Sequence, residues 1–249
     1  MDNNSQTLDE EIQIIARDGH VVRNEFRGNS NTTHACLLVH GLTGDRHENG
    51  LFDDLKVTLE VAGYAVLRID LRGHGKSNHP LNRSSLHGMI DDTRTAYRAL
   101  AARYESINML GLSLGGAITN ILADELQPHS IVLLNPVTSF RAALLAATRK
   151  SKQPPEHLKS QPSTTFILQA LASDLKKASS SGIATLVLHG GDDIIIPIAS
   201  SRHYAASRKH VEFEVMDGFG HALHAHSTYI AERSTSWLLG TTISTQEPK

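Results

Sequence analysis

Gly111-Leu112-Ser113-Leu114-Gly115 is the stretch on which the reading of this chain turns. An apolar run, Ile107 to Leu112, leads into it, and a second run of helical spacing, Ala117 to Leu126, leads out. A serine between two glycines, with a strand before it and a helix after it, is the context of a nucleophile elbow. On such a turn the serine backbone is strained, and the glycines stand where a Cβ would collide as strand and helix pass. The hydroxyl of Ser113 is then aimed out of the sheet, towards the first free amides of the helix.

Length and composition bound the answer. At 249 residues, 40% hydrophobic and 20% charged, the chain has the material for one large core and is expected to form a single α/β domain over 1–249. A formal net charge of −2 offers no basic surface for nucleic acid. The single Cys36 lies inside Ala35-Cys36-Leu37-Leu38-Val39, cannot form an internal disulfide, and reads as a small core residue. Polar residues open the sequence, and no apolar stretch approaches the roughly 18 residues needed to span a bilayer. A soluble, cytoplasmic protein with no membrane span is expected.

Around the central stretch the chain alternates. Glu11 to Ala16 and Val21 to Phe26, separated by Asp18-Gly19, read as a hairpin. Ala35 to Val39, Tyr64 to Ile69 and Ile131 to Leu134 read as strands buried on both faces, Ala184 to Leu188 resumes the sheet, and Val211 to Val215 is its last strand. Helices are expected at Leu51 to Val61, Met89 to Tyr104, Ala199 to Ser207 and Ser227 to Leu239. Strands alternating with helices make the fold α/β with a mostly parallel central sheet flanked by helices. The rhythm breaks over about 138–181, which is rich in Ser and Lys and punctuated by Pro154-Pro155 and Pro162. This interval is too long for an ordinary connection and reads as a functional insertion or a flexible lid, small and placed after the sixth strand.

A serine at an elbow is inert at neutral pH unless a base takes its proton, and that base needs an orienting carboxylate. Two strand ends downstream of Ser113 carry such groups: His189-Gly190-Gly191-Asp192-Asp193 and Asp217-Gly218-Phe219-Gly220-His221. The order Ser, Asp, His and the 28 positions from Asp193 to His221 leave room for one helix and one strand between acid and base.

Together with His40-Gly41-Leu42-Thr43-Gly44 and Asp70-Leu71-Arg72-Gly73-His74-Gly75-Lys76-Ser77, these motifs resemble the α/β-hydrolase fold over about the whole chain. The resemblance is to its serine esterase, lipase and aminopeptidase group, and within it to carboxylesterases, monoacylglycerol lipases and feruloyl esterases. It implies Ser113 as nucleophile, His221 as general base and then acid, and Asp193 as the carboxylate that holds the His221 tautomer. In the Gly-x-x-Asp pattern the acid lies three positions after Gly190, which selects Asp193 over its neighbour Asp192. The resemblance also places the oxyanion hole at the backbone amides of Leu42 and Leu114. It implies no cofactor, and a small-molecule ester as substrate, attacked through an acyl-enzyme. The same triad also serves thioesters, lactones, amides, C–C bonds next to a carbonyl and acyl transfer. A ligand-binding receptor on a hydrolase scaffold is the reading from another class.

His221, His224 and His226 cluster as metal ligands do, but without a His-Glu-x-x-His or a cysteine partner, so no metal site is expected. His40 reads as a brace of the oxyanion loop and His74 as a structural hydrogen-bonder. Two readings stand open for Phe140, Leu144, Leu145, Phe166, Leu168 and Leu171: lining an acyl pocket, or packing the insertion onto the core.

Overall fold

The computed structural model describes residues 9–150, 162–173, 175 and 182–244. Seven strands form one sheet: β1 (Asn24–Arg27), β2 (His34–Val39), β3 (Ala65–Ile69), β4 (Ser106–Leu112), β5 (Ser130–Leu134), β6 (Ala184–Gly190) and β7 (Val211–Met216). Their order across the sheet is β1-β3-β2-β4-β5-β6-β7. Only β1 runs antiparallel to its neighbour; every other pairing is parallel. Seven helices accompany them: α1 (Leu51–Val61), α2 (Leu86–Ala101), α3 (Leu114–Leu126), α4 (Phe140–Lys150), α5 (Thr164–Ala172), α6 (Ile198–Ala206) and α7 (Ser227–Ser244).

The continuous apolar runs are explained by two cores, one on each face of the sheet. Along β2, Ala35, Leu37 and Val39 enter one hydrophobic cluster while Cys36 and Leu38 enter the other. Ile131 and Leu133 of β5 alternate with Val132 and Leu134 in the same way. Successive side chains of a strand point to opposite faces, so a strand covered on both sides must be apolar at every position. Helices α2 and α3 supply the first cluster through residues such as Met89, Leu100, Ile118 and Leu122. Helices α1 and α7 supply the second through Leu51, Leu55, Ile230 and Leu238. Burial of Cys36 holds its thiol well above the ordinary range.

Two expectations need correction. The arm Glu11 to Ala16 does lie antiparallel to Val21 to Phe26, but only isolated bridges, Glu10 with Phe26 and Ile15 with Val21, join them. Between those bridges the buried Asn24 side chain replaces the ladder: its Oδ1 accepts the Ile12 N–H at 3.1 Å and its Nδ2 donates to the Ile12 carbonyl at 2.7 Å. The arm is therefore not a strand of the sheet, and the long insertion follows the fifth strand, β5, rather than the sixth. Within 138–181 the apolar stretches Phe140 to Ala147 and Phe166 to Leu171 lie in α4 and α5, while Pro154-Pro155 and the other residues of 151–161, 174 and 176–181 lie outside the described residues. Helix α5 is fixed to the start of α2, where the Ser163 hydroxyl donates to the Ser84 carbonyl at 2.6 Å and the His87 N–H donates to Gln169 at 3.0 Å. Among the described residues no helix is long and apolar enough to cross a membrane.

The topology fixes where a site can form. From β2 the chain crosses to β3 on one side; from β4 onwards it proceeds to β5, β6 and β7 on the other. β2 and β4 are neighbours at this reversal, and the crevice at the C-terminal ends of such strands is where open α/β sheets bind ligands.

Candidate active site

Ser113 follows the last residue of β4 and precedes the first of α3, with φ 53° and ψ −112°. A positive φ is strained for a residue with a Cβ, costing on the order of 1–3 kcal/mol. The neighbourhood holds it there: the Ser113 N–H donates to the Leu134 carbonyl at 2.9 Å, and its carbonyl accepts from Ala117 and Val137, each at 3.1 Å. The two motif glycines are required by space. A Cβ on Gly111 would run into the Gly115 backbone, and one on Gly115 into the Val39 and His40 carbonyls. Strand, turn and helix approach too closely for any side chain at either position.

His221 and Asp193 come to Ser113 from the ends of β7 and β6. His221 Nε2 stands 3.2 Å from Ser113 Oγ, and its Nδ1 stands 2.7 Å from Asp193 Oδ2. Burial pushes the Asp193 carboxyl up, but hydrogen bonds from His189 and His221, the charge of His221 and the Ile196 N–H outweigh it and hold the group well below the usual carboxylate range. Its Oδ1 accepts the N–H groups of Ile195 and Ile196 at 2.8 and 2.9 Å. An ionised carboxylate facing Nδ1 favours the His221 tautomer with its proton there, an arrangement that leaves Nε2 able to accept from the serine hydroxyl. Asp192 is exposed, and its backbone N–H donates to the Phe219 carbonyl at 2.9 Å.

Beside Ser113 lies the loop after β2. His40 Nε2 accepts the Leu71 N–H at 3.0 Å, which puts the ring proton on Nδ1, and Nδ1 donates to the Gly41 carbonyl at 2.7 Å. Burial, and then the neighbouring His74, hold His40 well below the usual histidine range. His74 in turn donates from Nε2 to the Leu42 carbonyl. Both histidines thus brace the loop. Among the described residues no hydrogen bond uses the Leu42 N–H, and the Leu114 N–H precedes the first intrahelical bond of α3.

The residues considered for an acyl pocket divide by burial. Phe140 and Phe166 are buried in the same cluster as Leu114 and Val137, whereas Leu144, Leu145, Leu168 and Leu171 are exposed. His224 and His226 are exposed on the short turn ahead of α7, where His226 stacks on Phe219 with ring centroids 3.7 Å apart. Among the described residues no group of three His, Cys, Asp or Glu side chains is arranged to hold a metal ion.

Two residues of this region escape a reading of the sequence. Asn135, fully buried with φ 40°, donates from Nδ2 to the Gly220 and His221 carbonyls, both at 3.0 Å, and accepts the Gly190 N–H at 2.8 Å. It ties together the two loops that carry His221 and Asp193. The only signal is a polar residue that closes an apolar strand. Glu48, with φ 46°, accepts the Gly41 N–H at 3.0 Å in the loop after β2. Burial pushes its carboxyl up to about 7, opposed by the Gly41 N–H and helped by the Asp45 carboxylate.

Known proteins resemble this chain in sequence and in fold. A family described as Serine aminopeptidase, S33, matches residues 30–164. An uncharacterized protein of Mycobacterium tuberculosis is 31% identical over 192 residues, 75% of this chain and 62% of that protein. A thermostable monoacylglycerol lipase of a Bacillus species is 35% identical over 142 residues, 56% of this chain and 51% of the lipase. The chain therefore matches less than two thirds of the length of these relatives. In fold it is similar to Est1E from Butyrivibrio proteoclasticus with ferulic acid bound, with a TM-score of 0.80 at 20% identity, over 93% of this chain and 100% of that one. The esterase Pf2001 of Pyrococcus furiosus gives 0.75 at 17% identity, over 93% and 92% of the two chains. A strained serine at the switch point of a mostly parallel sheet, and a family match over more than half the chain, lead to one conclusion: the chain belongs to the Serine aminopeptidase, S33, family of α/β-hydrolases.

Proposed function

We propose that this chain is a serine hydrolase that cleaves a carboxylic ester of a small to medium acyl group. The observation that carries the reading is the unbroken line from Asp193 through His221 to Ser113, with contacts of 2.7 and 3.2 Å, ending on a serine held at positive φ. A binding protein has no use for that strain.

In the reaction, Ser113 Oγ attacks the ester carbonyl while its proton passes to His221 Nε2. The carbonyl oxygen becomes an oxyanion facing the N–H groups of Leu42 and Leu114, each donor typically worth about 3 kcal/mol in the transition state. The bond to the alcohol breaks, and the alcohol leaves with the His221 proton. Water then adds to the acyl-enzyme, again giving its proton to His221, and the carboxylic acid departs with Ser113 restored. Asp193 stabilises the imidazolium in both halves and stays ionised throughout.

The choice of an ester draws on the relatives, a lipase and esterases, not on the fold, which hosts many chemistries. For the acyl group, helices α4 and α5 serve as a cover. Leu144, Leu145 and Leu171 offer its aliphatic surface, and Phe140 and Phe166 anchor it to the core. The pocket is thus apolar without an aromatic clamp. A panel of p-nitrophenyl esters of increasing acyl length, with Ser113→Ala as blank, tests this. Turnover is expected to be best for short to medium chains and to fall for long ones. Thioesters or lactones turned over much faster than every oxygen ester would replace the substrate class.

A further inference from the structure

The loop after β2 has a glycine at its centre, and the two peptide planes that meet at Gly41 are free to turn unless something holds them. Each is held, by a different residue. The plane after Gly41 is fixed at its carbonyl, which accepts from His40 Nδ1 at 2.7 Å and from the Gly44 N–H at 3.3 Å. A peptide unit is planar and trans, so fixing that carbonyl also fixes the Leu42 N–H on its opposite edge. The plane before Gly41 is fixed at its N–H, which donates to Glu48 Oε2 at 3.0 Å.

Glu48 reaches this place at some cost. It stands at φ 46°, followed by Asn49 at φ 55° and Gly50 at φ 93°, three successive residues in the left-handed region. Space is cleared for its carboxylate at Gly44, where a Cβ would collide with the Glu48 carboxylate. The second glycine of His40-Gly41-Leu42-Thr43-Gly44 is thus accounted for by Glu48. Strain that persists beside a reaction centre, in a residue to which the triad gives no task, calls for another role.

We propose that Glu48 is a positioning residue for the reaction: by holding the Gly41 N–H it fixes the peptide plane on which the next one pivots, so that the Leu42 N–H, held directly through the Gly41 carbonyl, stays aimed at the developing oxyanion. The inference rests on the reading of Ser113 and Leu42 given above and adds a residue from outside the triad.

The test compares Glu48→Gln, which keeps the volume and an acceptor oxygen, with Glu48→Met, which keeps the volume and loses the acceptor; Glu48→Ala serves if the methionine variant does not fold. Two quantities are read: kcat and KM on one p-nitrophenyl ester, and the affinity of a trifluoromethyl ketone, whose adduct with serine bears an oxyanion. Glu48→Met is expected to lower kcat by about 10- to 100-fold with KM within about threefold, and to weaken the ketone by a similar factor. Glu48→Gln is expected to restore both to within about threefold of the unsubstituted protein. Equal losses in the two variants, a loss confined to KM, or no loss at all would overturn the proposal. Ester turnover by Ser113→Ala would instead overturn the reading on which it rests; an inert Ser113→Ala alongside equal Gln and Met variants would overturn the role of Glu48 alone.

Discussion

Asn135 and His221 lie 86 positions apart in sequence, yet the side-chain amide of one donates to the backbone carbonyl of the other at 3.0 Å. The same amide accepts the N–H of Gly190, three residues before Asp193. The spacing between acid and base therefore depends on a residue from a third strand end. Asn135→Asp would remove the donor and turn an anion towards the carbonyls of Gly220 and His221. It should cost about 2 to 4 kcal/mol in urea unfolding and, through misplacement of His221, on the order of 10²-fold in kcat. An unchanged unfolding midpoint would contradict this role.

Residues of the proposed triad should act as a unit in their kinetics. Ser113→Ala and His221→Ala should each lower kcat by roughly 10⁴ to 10⁶, and the double variant should lose little more. Near-normal turnover in either would overturn the assignment.

The adjacent aspartates separate cleanly. Asp193→Asn presents the wrong partner to His221 Nδ1 and should cost on the order of 10³ to 10⁴ in kcat. The Asp192 carboxylate is exposed, so Asp192→Asn should cost about tenfold or less. Steady-state kinetics of the two variants decide the ranking.

Two motif glycines should respond in opposite ways. Gly115→Ala places a methyl on the Val39 carbonyl and should abolish folding or cost more than about 3 kcal/mol. Gly220 has as its nearest neighbour the Asp192 carbonyl, 3.9 Å from a built Cβ, so Gly220→Ala should change stability by less than about 1 kcal/mol. Thermal unfolding of both measures the contrast.

Glu48 should leave a mark on stability as pH changes. Its carboxyl is raised from 4.5 to about 7 in the folded chain, so between those values the folded state binds more protons than the unfolded one. Stability contributed by this group is therefore largest below about pH 4.5 and is lost as pH rises to about 7. Asp193 works in the opposite sense: its carboxyl is depressed, and its contribution is lost only as pH falls below the ordinary carboxylate range. Denaturant midpoints of Glu48→Gln, compared with the unsubstituted protein across pH 4.5 to 7, should show the variant gaining relative stability with pH. A constant difference would contradict the raised carboxyl.

What could be read in the sequence follows from local chemistry. The strands were legible because burial on two faces demands unbroken apolar runs, as in Ala35 to Val39 and Ile131 to Leu134. Ser113 directly follows such a run, and Asp193 and His221 stand a few positions beyond the ends of two others, which is why the sequence could single out three residues that the structure brings together. Helix α2 begins at Leu86 rather than Met89 because Ser85 caps it, its side chain accepting the Gly88 N–H at 3.1 Å. That is a local signal, available from the sequence. The roles of Asn135 and Glu48 were not legible, since a buried amide or carboxyl acquires its task only from backbone groups brought to it by the fold. The arm Glu11 to Ala16 misled for a related reason: its pattern suits a strand, and only the side chain of Asn24 breaks the ladder.

The central claim, that Ser113 becomes covalently acylated with His221 as its base, can be met by trapping the acyl-enzyme. The protein is mixed with a p-nitrophenyl ester, quenched in acid within the first turnover, digested and mapped by mass spectrometry. The account predicts the acyl group on the peptide that contains Ser113, its absence from Ser113→Ala, and no detectable accumulation in His221→Ala. Ester turnover with the acyl group on another residue, or with His221→Ala acylated as fast as the unsubstituted protein, would contradict it.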